Sequence, residues 1–219
     1  MKNFTENTRV QVPAALHLCK LGYTYLDDIT SYNPQTNILT DIFIRSVKRL
    51  NPALTDLECS QLLDKIIGIL NNDDLGKEFY TMLSSNSGVK LIDFADANNN
   101  EWHVTTEFTC ENVESGDSFR PDNTCFINGL PLAFIEVKKP NNHDGILAER
   151  DRINKRMRNK SFRRFINLTQ LMIFSNNQEY EMKTGFRSKG RFIAVHQKEK
   201  LFLMCLERLM LLSCRNINI

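Results

Sequence analysis

Apolar positions in the first third of the chain recur at helical spacing. Val10, Ala14, Leu18 and Leu21 share one face of a helix predicted over about 6–21, with Pro13 opening or kinking it and Gly22 closing it. A second helix is predicted over about 41–50. Thr55-Asp56-Leu57-Glu58 reads as a capping box, since the threonine hydroxyl can accept from a free backbone N–H while the glutamate reaches back. Leu62, Ile66, Ile67 and Leu70 continue that stripe, giving a helix over about 56–70. After Gly88 the pattern changes to short β-prone runs at 89–94, 102–110, 124–127 and 130–137. Asn128-Gly129 separates the last two and predicts an antiparallel hairpin, because both turn positions favour positive φ. Beyond it the chain reads as a basic, polar helix over about 145–159, a buried strand over 171–174 and an apolar helical tail from about 198.

This order implies a mixed α/β (α+β) fold divided into a helical part, 1–88, a sheet-bearing core, 89–196, and a tail, 197–219. The tail is apolar enough either to cover the sheet or to have packed on something larger. With 219 residues, 42% of them hydrophobic and 25% charged, the chain can bury a substantial core. A net charge of +2 names no partner, so any nucleic-acid reading rests on local clustering. Cys19, Cys59, Cys110, Cys125, Cys205 and Cys214 are scattered, with no C-x-x-C pair, which disfavours zinc and suits reduced core thiols. The amino terminus lacks an apolar signal core, and no run approaches the ~18 apolar residues of a membrane span, so a cytoplasmic location away from membranes is expected.

Candidate chemistry sits on the hairpin. Pro121-Asp122 enters its first strand and Glu136-Val137-Lys138 ends its second, a PD-(D/E)xK pattern. Side chains alternate along a strand, so Glu136 and Lys138 share a face while Val137 points to the core, and the short hairpin returns Asp122 beside Glu136. Two adjacent carboxylates repel unless a cation compensates, and hard oxygen ligands with vacant water positions suit Mg²⁺. Asp122 and Glu136 are therefore the expected metal ligands, the Val137 carbonyl a third, and Lys138 the cation that orients a water or stabilises the transition state. Taken as a pattern alone, the same residues also describe a surface strand ending in alternating charges.

The frame around the pattern is more specific. Phe126-Ile127-Asn128-Gly129-Leu130-Pro131-Leu132 followed by Phe134-Ile135-Glu136-Val137-Lys138-Lys139-Pro140 resembles the signature of the type I restriction enzyme R subunit. Thr5-Glu6-Asn7-Thr8-Arg9 leading to Leu21-Gly22-Tyr23, and Gln170 to Asn177, extend the resemblance over about 5–196. It implies a restriction-endonuclease-like core, a mixed sheet flanked by helices, and DNA cleavage after translocation by an ATP-driven motor. It also implies modification and specificity subunits as partners, the latter reading the DNA site. Glu6 matches the place where the family often adds an acidic residue to the metal site, and it equally fits a solvated helix-start glutamate. The family's Q-x-x-x-Y motif is replaced by Asn154-Lys155-Arg156-Met157-Arg158.

That region instead carries Arg150, Arg152, Lys155, Arg156, Arg158, Lys160, Arg163 and Arg164, either a solvated face or a phosphate-binding one. Arg152, Lys155 and Arg156 are the expected DNA contacts. Gly185 to Gly190 is followed by Arg191-Phe192 in place of the lysine and hydroxyl that a phosphate-binding loop needs, so no ATP site is expected. The competing readings are a stand-alone nuclease of repair or defence, distinguished by cutting naked DNA without ATP, and a catalytically silent DNA-binding or assembly module.

Overall fold

The capping box forms in full. Thr55 Oγ1 accepts from the Glu58 amide at 3.3 Å and Glu58 Oε2 accepts from the Thr55 amide at 2.8 Å. It starts helix α3 (Asp56–Ile69), whose Cys59, Leu62, Leu63 and Ile66 are buried. The computed structural model describes residues 10–85, 88–110, 118–138, 145–175 and 192–196. The expectations for Glu6, the 185–190 loop, Cys205, Cys214 and the tail from 198 lie outside these residues.

Within them α1 (Val12–Lys20) has Pro13 in its first turn, and Gly22 follows its end with φ 94°. α2 (Thr40–Leu50) matches its pattern. α4 (Lys77–Ser84) was not legible, because eight residues are too few to establish a stripe. Asp74 nucleates it instead, its carboxylate accepting from the amides of Gly76 and Glu78 at 2.9 and 2.7 Å.

Among the described residues the sheet has six strands in chain order: β1 (Thr24–Tyr25), β2 (Trp102–Thr106), β3 (Asn123–Ile127), β4 (Leu130–Val137), β5 (Leu171–Ser175) and β6 (Phe192–His196). It is mixed: β1–β2 and β4–β5 are parallel, and the other pairs antiparallel. α5 (Gly145–Met157) and α6 (Arg163–Leu168) supply the crossover that a parallel β4–β5 pair requires. Asn128 (φ 51°) and Gly129 (φ 80°) make the expected turn. The architecture is the expected mixed α/β one, a central sheet flanked by helices.

Two expectations fail locally. Residues 89–94 are not a strand, although Leu91 and Ile92 are buried. Their backbone groups are satisfied by asparagine side chains: Asn51 both donates to and accepts from Lys90 at 2.8 Å, and Asn128 Nδ2 donates to the Leu91 carbonyl at 2.9 Å. The strand predicted over 102–110 stops at Thr106, where Glu107 turns into positive φ (52°), and Cys110 forms an isolated bridge with Phe119. β6 was not anticipated.

Two apolar clusters lie on opposite faces of the sheet. The larger joins α1 to α4 with Val104, Cys125, Ile127, Ile135 and Val137. The smaller is aromatic, with Phe126, Phe134, Phe165 and Phe174 packed beside Ile153 of α5. A β-bulge decides which strand positions face which cluster. Phe126 pairs with Pro131 but Cys125 pairs with Ala133, leaving Leu132 as the extra residue of β4. Leu130 and Leu132 before it, and Ala133, Ile135 and Val137 after it, all face the larger cluster. Strict alternation from Leu130 would have aimed residues 134, 136 and 138 into that core; the bulge turns them towards α5 instead.

Candidate active site

Glu136 is the next-to-last residue of β4, and Lys138 follows the strand with its amide donating to the Ser175 carbonyl of β5 at 2.7 Å. Asp122 precedes β3, one position beyond the Asn123–Ile135 pair, so it lies across from Glu136. Its Oδ2 accepts from the Val137 amide at 2.8 Å. Its carbonyl accepts from the Glu107 amide at 3.1 Å and from Gln11 Nε2 at 2.8 Å, so the start of the helical half anchors the strand end that carries it. Lys138 Nζ stands 4.0 Å from Asp122 Oδ2 and 3.9 Å from Glu136 Oε2. The three side chains thus converge on the α5 face of the sheet.

A fourth group joins them. Glu149, on the first half of α5, is 4% exposed, and its Oε2 is 3.5 Å from Lys138 Nζ, nearer than either hairpin carboxylate. The same oxygen accepts from Arg152 Nη1 at 2.9 Å, while Oε1 lies 3.9 Å from Arg156 Nη1. Three carboxylates thereby face three cations. Sequence reasoning missed both Glu149 and Gln11. For Glu149 a signal existed: with Ile153 and Arg156 it falls at i, i+4 and i+7, so an acidic residue shares the apolar, sheet-facing side of an otherwise basic helix. For Gln11 no comparable signal exists.

The electrostatics single out Glu136. It is 4% exposed, and its Oε1 is buried with no hydrogen-bond partner. Burial, reinforced by the Asp122 and Glu149 carboxylates and opposed by Lys138, pushes its carboxyl up to about 8. At neutral pH the metal-free site therefore holds a proton on Glu136. An orphaned carboxylate oxygen beside a second carboxylate fits a hard divalent cation, which would take the proton's place. Among the described residues no group of three or more histidine, cysteine, aspartate and glutamate side chains is placed to hold a metal ion. The donor set available, Asp122, Glu136 and the Val137 carbonyl, suits a cation that keeps several of its waters.

The expected DNA contacts divide. Arg152 has 63% of its side chain exposed, and Lys155 is exposed on the same helix. Arg156 is partly covered, with its guanidinium 4.2 Å above the Phe119 ring. Arg163 and Arg164, part of the same cationic stretch, serve the fold: Arg163 pairs with Asp73 and donates to the Asn71 carbonyl, and Arg164 bonds Asn71 and Gln35. Among the described residues no helix is long and apolar enough to cross a membrane.

A relative from Methanocaldococcus jannaschii, described as "Putative type I restriction enzyme MjaIXP endonuclease subunit", is 35% identical over 159 aligned residues, covering 62% of this chain. The chain corresponds to 15% of that relative's length. The family described as type I restriction enzyme R protein N terminus matches residues 3–190, through the hairpin, α5 and β5 that build the site. The chain belongs to that family of R protein amino-terminal domains.

Proposed function

We propose that this chain is the DNA-cleaving domain of a type I restriction enzyme R subunit, hydrolysing phosphodiesters with Mg²⁺ in the cytoplasm. The observation that carries the reading is the convergence of Asp122, Glu136 and Lys138 around a buried, unpartnered Glu136 oxygen. Asp122, Glu136 and the Val137 carbonyl would hold the cation, with Glu6 a candidate additional ligand. Bound there, Mg²⁺ supplies Lewis-acid polarisation of the phosphodiester and a more acidic water.

The chain's own groups do the rest. Asp122 is held by the Val137 amide, so its carboxylate is oriented before any ligand arrives. Lys138, between the carboxylates, orients the attacking water and stabilises charge growing on the phosphate oxygens. Burial of Glu136 keeps that side of the site dry, which strengthens each of these interactions. Arg152, Lys155 and Arg156 contact backbone phosphates, which positions DNA without reading its sequence. The modification and specificity subunits, and an ATP-driven motor, are the partners that this role requires.

Calorimetric titration of Mn²⁺ or Mg²⁺ into the chain and into Asp122→Ala tests the site: the parent should bind and the variant should not. Equal isotherms would refute it. Plasmid cleavage by the chain alone, without ATP, would assign it instead to a stand-alone nuclease.

A further inference from the structure

Glu149 has no part in the hairpin pattern, yet its carboxylate is the nearest one to Lys138 and is almost wholly buried. Burying an isolated carboxylate is costly, so its position needs a compensating network. Lys138, Arg152 and Arg156 are that network. They come from two different elements. Lys138 follows β4 and belongs to the chemistry, whereas Arg152 and Arg156 lie on α5, and Arg152 reaches solvent.

We propose that Glu149 is a positioning residue that couples the reacting site to the DNA-binding helix. It holds the Lys138 ammonium in place opposite Asp122 and Glu136, and it restrains Arg152 and Arg156 until backbone phosphates compete for them. The inference rests on the nuclease reading above. Two features of the geometry support it. One Glu149 oxygen serves both Lys138 and Arg152, at 3.5 and 2.9 Å, so drawing the arginine towards a phosphate releases acceptor capacity to the lysine. Arg156 has an Nη1 that is buried without a hydrogen-bond partner, 3.9 Å from the other Glu149 oxygen, so its contact with the carboxylate is incomplete. A phosphate oxygen satisfies a guanidinium better than a contact of that length.

The consequence is a split between affinity and rate. Glu149→Gln keeps the shape and a hydrogen-bond acceptor but removes the charge that competes with, and repels, the phosphates. Binding of a short labelled duplex, measured by anisotropy without metal, should tighten roughly 3- to 10-fold at low salt. The gain should be lost in Glu149→Gln combined with Arg152→Ala. Single-turnover cleavage with Mg²⁺ and ATP, in the complex assembled with the motor, modification and specificity subunits, should fall by about tenfold or more, because Lys138 is no longer held. Mn²⁺ affinity by calorimetry should stay within about threefold of the parent, since the ligands remain.

A residue that only staples α5 to the sheet would lower thermal stability without this opposite movement of affinity and rate. Arg152→Ala, at an exposed position that the fold does not depend on, is the second variant, and it should weaken duplex binding. Unchanged or weaker duplex binding by Glu149→Gln overturns the inference, as does unchanged cleavage or duplex binding by Arg152→Ala equal to the parent's. A loss of Mn²⁺ binding like that of Asp122→Ala also overturns it, making Glu149 a ligand. A parent that neither binds DNA nor cuts it within the assembled, ATP-supplied complex overturns the functional reading and this inference together, whereas a parent that cuts there beside an equally active Glu149→Gln overturns the inference alone.

Discussion

Replacing Glu136 with glutamine should stabilise the metal-free protein, by an amount that grows with pH. The carboxyl titrates near its ordinary 4.5 in the unfolded chain and at about 8 in the folded one. Between these values the unfolded state has released a proton that the native state still holds, so parent stability falls as pH rises through this window and levels off above it. Each pH unit inside the window costs about 1.4 kcal/mol, which accumulates to roughly 3 kcal/mol by neutral pH. Glutamine cannot ionise, so the variant escapes that loss. For a chain of this size about 1 kcal/mol moves Tm by about 2–4 °C, and the variant should therefore melt roughly 6–12 °C above the parent near pH 7 in EDTA. At pH 4.5 the two should melt within about 2 °C of each other, since Glu136 is then protonated in the folded parent and half protonated in the unfolded one. Millimolar Mg²⁺ should reverse the order, because it stabilises only the chain that binds it. Calorimetric melts of both proteins across this pH range, with and without Mg²⁺, make the comparison. A difference that is the same at pH 4.5 and pH 8, or a variant less stable than the parent at neutral pH in EDTA, would refute the assignment of Glu136 as an electrostatically strained ligand.

Further outcomes follow from other parts of the structure. Lys138→Ala removes a cation and no ligand, so Mn²⁺ affinity by calorimetry should persist or rise while cleavage by the assembled, ATP-supplied complex falls by about two orders of magnitude; cleavage at the parental rate would refute its role. Charge reversal at both Arg152 and Arg156 should weaken binding of all duplexes alike and flatten the salt dependence of the affinity, and an unchanged slope would return this face of α5 to a merely solvated one. Gly129→Ala should destabilise by more than about 2 kcal/mol in denaturant melts, since φ is +80° and the new Cβ would stand 2.7 Å from the Leu39 carbonyl oxygen and the Phe43 nitrogen. Thr55→Ala, which removes only the capping box of α3, should cost about 1 kcal/mol in the same melts.

What the sequence determined by itself was local. The capping box at Thr55, the Asn128-Gly129 turn and the period of α2 and α3 are readable because each is decided within a few residues, by hydrogen bonds and dihedral preferences that distant parts of the chain do not alter. The pairing of Asp122 with Glu136 and Lys138 was legible for the same reason, since one short hairpin joins them. Tertiary structure decided the rest. Residues 89–94 have strand composition, but Asn51 and Asn128, from remote parts of the chain, take the hydrogen bonds that a neighbouring strand would have taken. No local pattern marks the bulge at Leu132, which aims Glu136 and Lys138 at α5 rather than into the larger core. Glu149 shows the limit most clearly: on the sequence it is one acid before a basic run, and only the crossover from β4 through α5 to β5 brings its carboxylate within 3.5 Å of Lys138, because a contact between separate elements depends on how their faces pack and not on any local pattern.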